Sequence, residues 1–72
     1  MQMNLPEAWA DFLAFLKSSG AWADIPKRER LYIYKAGSDL KKGRLGAARA
    51  GRLFDRYAPG RYEFRQVVFR AD

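Results

Sequence analysis

Apolar residues in the first third of the chain recur with a helical period. At about 100° per residue, Leu5, Trp9, Phe12, Leu13 and Leu16 fall on one side, Ala8 and Phe15 at its edge, and Glu7, Asp11 and Ser18 opposite. Asn4 supplies an N-cap, Pro6 an early-turn proline and Glu7 the acid of a capping box, while Gly20 offers a left-handed stop. This pattern predicts a core-facing helix from about residue 5 to the glycine.

The pattern is ambiguous over DIPKRERLYIYKAGSDL. As a helix capped by Asp24, it gathers Ile25, Tyr32, Ile33, Ala36 and Leu40 on one side, but leaves out Leu31 and Tyr34 and turns Glu29 inward. As a helical turn at 26–30 followed by a strand at 31–36, it uses Leu-Tyr-Ile-Tyr as the aromatic and β-branched run that strands favour. The strand is preferred because the other end of the chain needs a partner. There, Pro59-Gly60 fits the centre of a type II turn, and Tyr62, Phe64, Val67, Val68 and Phe69 make 61–70 a strand with a phase slip, hence a bulge, near Arg65-Gln66. Its unpaired backbone groups would be met by 31–36, by a hairpin within 61–70, or by a second copy of the chain in a homodimer through this C-terminal strand.

Between these segments lies KKGRLGAARAGRLFDR. From Leu45 to Ala58, Ala47, Ala50, Leu53, Phe54, Tyr57 and Ala58 share one side of a helix, and Arg49, Arg52 and Arg56 share the other. Lys41, Lys42 and Arg44 precede that helix in a glycine-punctuated loop. The expected fold class is therefore α+β: one small domain over 1–72, two main helices with a short β-sheet, in an arrangement like a winged helix or helix-turn-helix with an abbreviated wing.

Composition narrows the chemistry. The 72 residues include no cysteine and no histidine, which removes thiol nucleophiles, disulfides, the commonest general base and the commonest transition-metal ligand. No remaining pair has the spacing of an acid/base or nucleophilic constellation, so no enzyme activity and no cofactor are expected. No apolar run reaches the roughly 18 residues of a membrane span, and MQMNLPEAWADF lacks the basic region of a secretory signal, so a cytoplasmic protein with no membrane partner is expected. Two tryptophans, five phenylalanines and four tyrosines are core candidates first, since a domain of this size buries only about 60% of its unfolded surface.

Charge then points to a partner. Residues 1–24 set Lys17 against Glu7, Asp11 and Asp24, a net of −2, whereas residues 25–72 set thirteen cations against five acids, a net of +8. Like charges at Arg49, Arg52 and Arg56 repel by a few tenths of a kcal/mol per pair, which a purely solvated face would avoid by interleaving acids. A polyanion would relieve that repulsion. The expected function is non-enzymatic nucleic-acid binding, to duplex DNA, with Lys41, Lys42, Arg44, Arg49, Arg52, Arg56, Arg61 and Arg65 on phosphates. The helix lacks a surface rich in Ser, Thr, Asn and Gln that would read base edges, so modest sequence preference is expected. Tyr32, Tyr34 and Tyr62 could instead stack single-strand bases. The alternative is a protein-interaction module or inhibitor docking on an acidic surface of a larger complex.

Overall fold

The computed structural model describes residues 3–62 and 67–68. Its framework is helical: α1 (Leu5–Ser18), a single turn α2 (Ala21–Asp24), α3 (Lys27–Lys41) and α4 (Ala47–Tyr57). Among the described residues, extended pairing is confined to β1 (Met3–Asn4) and β2 (Val67–Val68), which run parallel with Met3 opposite Val67 and Asn4 opposite Val68.

α1 begins as its sequence dictates. The Asn4 side chain accepts a hydrogen bond from the Glu7 backbone N–H at 2.9 Å, and its Nδ2 donates to Glu7 Oε1 at 3.3 Å, so cap and acid satisfy each other. Beyond the Ser19 C-cap, Gly20 takes φ +82°, a conformation costly for a residue with a β-carbon. The chain can then turn directly into α2.

The α+β expectation is overturned at residues 31–36. They lie inside α3, a continuous helix of 15 residues, and so no strand exists there to pair with the C-terminal segment. Burial explains why. Ile33 and Ala36 are fully buried and Leu40 partly so, an inward stripe that a strand, with its two-residue period, would split between two faces. Local β-propensity at Leu31-Tyr32-Ile33-Tyr34 gives way to that packing, and Leu31, Tyr32 and Tyr34 are left exposed. Among the described residues no sheet layer forms beyond the β1–β2 pair, so the expected α+β arrangement with its wing is replaced by a helical one. The Pro-Gly turn does form: the Arg61 N–H donates to the Ala58 carbonyl at 3.2 Å, and Gly60 has φ +79°. The expected bulge and hairpin at 63–66 and 69–70 lie outside the described residues.

The core gathers Leu5, Ala8, Trp9, Phe12 and Leu16 of α1 with Ile33 and Ala36 of α3 and Ala50, Leu53 and Phe54 of α4. Phe12 stands at its centre, with ring centroids at 5.0 Å from Phe54, 5.3 Å from Trp9 and 6.3 Å from Tyr62. Where α3 crosses Trp9, only a glycine fits: a β-carbon at Gly37 would stand 2.9 Å from the indole Nε1. Gly51, by contrast, has no atom within 4 Å of where its β-carbon would be. The two glycines therefore respond oppositely to alanine. Gly51→Ala should stabilise by up to about 1 kcal/mol through helix propensity, whereas Gly37→Ala should destabilise despite the same gain, because the core-locked indole must shift. Thermal melts of the two variants check this, and a raised melting temperature for Gly37→Ala would contradict the close approach.

Candidate nucleic-acid interface

The arginines of α4 do not form an unrelieved stripe. Arg49 Nη1 donates to Asp39 Oδ2 at 2.8 Å and its Nε to the Tyr32 hydroxyl at 3.2 Å, with the guanidinium carbon 5.1 Å from the Tyr32 ring centroid. Arg56 pairs with Glu29, which also accepts from the Tyr57 hydroxyl at 2.9 Å. Both acids belong to α3. Glu29, near the start of α3, meets the end of α4, and Asp39, near the end of α3, meets the start of α4, so the pairs fix the two helices as an antiparallel hairpin around the 42–46 connection. The repulsion between like charges on α4 is thus relieved within the chain. Arg52 remains exposed and unpaired among the described residues.

The other expected cations divide. Lys41 is the last residue of α3 and Lys42 its C-cap, so neither belongs to a loop preceding α4. Arg44 is exposed in the connection, its backbone N–H donating to the Asp39 carbonyl at 2.7 Å. Arg61 turns back to α1, donating to Asp11 at 3.2 and 3.4 Å and lying 4.3 Å over the Phe15 ring. Arg65 lies outside the described residues. Phosphate contacts by Arg49, Arg56 and Arg61 would compete with existing carboxylate partners; those by Lys41, Lys42, Arg44 and Arg52 would not.

Folding of 27–41 as a helix creates a surface that the strand expectation concealed. Glu29 and Asp39 pair with α4, and the exposed side of α3 shows Lys27, Arg28, Lys35, Lys41 and Lys42, with Asp39, engaged by Arg49, at its border and within reach of the charges of Lys35 and Lys42. These five cations are exposed, and none is in an ion pair among the described residues. They span about 22 Å at 1.5 Å of rise per residue. Leu31 and Tyr34, 57% and 51% exposed, lie between them. The signal for this face was Glu29 itself: an acid turned inward on a helical wheel marks a cross-helix partner as readily as a wrong helix assignment.

Protonation equilibria reflect the same pairs. The Arg49 hydrogen bond holds the Asp39 carboxyl below its ordinary 3.8, with the charges of Arg49, Lys35 and Lys42 adding to the effect. At Asp11 the hydrogen bond from Tyr62 and then that from Arg61 lower the pKa in the same sense. Because these folded-state values are depressed, the unfolded chain binds more protons in acid. Their stabilisation is present above pH 3.8 and is lost as pH falls below it. Tyr62 behaves oppositely: burial, then its bond to Asp11, raises the phenol from 10.0 to about 12, so its contribution is full below pH 10 and fades as pH climbs towards 12. Phenolate absorbance during alkaline titration should show one tyrosine ionising near pH 12, and Asp11→Asn should bring that step to lower pH.

Among the described residues no helix is long and apolar enough to cross a membrane. Compared with protein-family models, curated proteins and solved structures, the chain matches none.

Proposed function

We propose that this is a cytoplasmic, non-enzymatic nucleic-acid-binding protein that holds the phosphate backbone through the outward face of α3, with Arg44 and Arg52 contributing from the side. The observation that supports it is the set Lys27, Arg28, Lys35, Lys41 and Lys42, five exposed cations of which none is in an ion pair among the described residues. A face built only for solubility would interleave both signs, as the α3–α4 seam does, whereas a repeating polyanion rewards a single sign. Lysines suit this role because each offers a point charge to a phosphate without demanding one geometry.

Replacing Lys35, Lys41 and Lys42 together by glutamine should leave the circular dichroism spectrum unchanged, because exposed charges contribute little to stability. It should weaken binding to unrelated DNA sequences about equally, since phosphate contacts are blind to sequence. Unchanged affinity in a folded triple variant would sink the proposal. The exposed Leu31 favours a second reading, an acidic protein surface with an apolar anchor, which would bind with a shallower salt dependence.

A further inference from the structure

One end of the α3 face opens into a cleft of about 260 Å³ lined by Trp22, Lys27, Arg30, Leu31 and Tyr34. Two aromatic rings form its walls: Trp22 and Tyr34 stand edge to face at 5.3 Å and 75°, Trp22 half-buried and Tyr34 half-exposed. Cations border the rings. Lys17 Nζ lies 5.6 Å from the Trp22 centroid and 5.9 Å from that of Tyr34, while Lys27 belongs to both the cleft and the five-cation face. The buried Nε of Arg30, another lining residue, has no hydrogen-bond partner among the described residues. Asp24, which ends α2, does not line the cleft.

We infer that the cleft receives one unstacked base of a single-stranded nucleic acid, with the adjoining phosphates held by Lys27 and Arg30; this rests on the phosphate-binding reading of α3. Each part of the cleft answers a part of a nucleotide. The exposed aromatic surface offers stacking to any base, because every base has a π-face. Arg30 lines the cleft as a half-buried residue, and a guanidinium there can donate to the oxygens of an adjoining phosphate. The volume lies just under the range of pockets for drug-sized ligands, which suits a single ring system rather than a larger ligand. A duplex keeps its bases stacked and has none to offer, so the cleft favours single strands over duplexes of the same length.

The test uses the full chain and labelled oligothymidylate of about 12 nucleotides, within the site sizes of single-strand binders, beside a duplex of equal length. Tyr34 is exposed, so its substitution should leave the fold intact, which a circular dichroism melt verifies. The expected result is that Tyr34→Ala weakens single-strand binding about tenfold and leaves duplex binding unchanged, while Tyr34→Phe, which keeps the ring, retains wild-type affinity for both. If Tyr34→Ala leaves both affinities unchanged while the Lys35, Lys41 and Lys42 triple variant lowers both, the stacking site is overturned and phosphate binding by α3 stands. If wild-type protein binds neither form at low salt, both fall together. If an acidic peptide carrying a leucine anchor binds the wild type, and Tyr34→Ala weakens that peptide but not the single strand, the cleft is a peptide site and the inference is overturned.

Discussion

Phe12→Ala should remove a large share of the protein's stability. The ring is fully buried and in contact distance of Trp9, Phe54 and Tyr62, so its loss removes the shared contact between α1, α4 and the segment after the Pro-Gly turn. Such truncations cost about 3–5 kcal/mol, the apolar transfer energy plus the cavity left behind. A chain of this length has a total stability of only about 4–11 kcal/mol at the usual increment per residue. Urea titration followed by circular dichroism should therefore show either no native baseline or a midpoint displaced strongly downward. A midpoint close to that of the wild type would mean that the aromatic cluster is not the centre of the core.

Binding to duplex DNA should collapse with salt. If the five outward cations of α3 each displace a counterion, the log-log slope of affinity against salt is about −4.5 for B-DNA and about −3.5 for a single strand. Between 50 and 200 mM salt the duplex affinity should then fall by between two and three powers of ten. Participation by Arg44 and Arg52 would steepen the slope. Arg49, Arg56 and Arg61 enter differently, since each already has a carboxylate partner and would have to surrender it. Fluorescence anisotropy with duplexes of unrelated sequence measures the slope directly. A slope near zero would exclude a phosphate-held complex, and one strongly preferred sequence would require base contacts that α3 does not provide.

How far the sequence carried depended on whether propensity and packing agreed. In α1 and α4 they did: period and burial point the same way, with a cap besides in α1, and Leu5, Trp9, Phe12, Leu16, Leu53 and Phe54 are buried as the wheels predict. In α3 they conflicted. Two tyrosines and an isoleucine within four residues resemble a strand, and only the long-range docking of Ile33 and Ala36 on the other helices decides for a helix. The site inherited that error. The arginines of α4 were legible as a row, but their partners, Glu29 and Asp39, could be identified only once α3 was known to be helical and antiparallel to α4. Nor does the sequence show which glycine is packed: Gly43, Gly46 and Gly51 have open space around them, whereas Gly37 touches the core.

That contact between Gly37 and Trp9 gives the protein a built-in optical signal. The indole of Trp9 is buried against helix backbone, and its Nε1 has no hydrogen-bond partner among the described residues. An indole held in dry, apolar surroundings emits at the blue end of its range, so the native state carries a blue-shifted component that vanishes when α1 and α3 separate. Trp22, half-buried beside the cleft, emits from a wetter environment and faces incoming ligands. The two tryptophans therefore divide the emission spectrum between folding and binding, and a ligand that shifts only the red component leaves the α1–α3 junction closed.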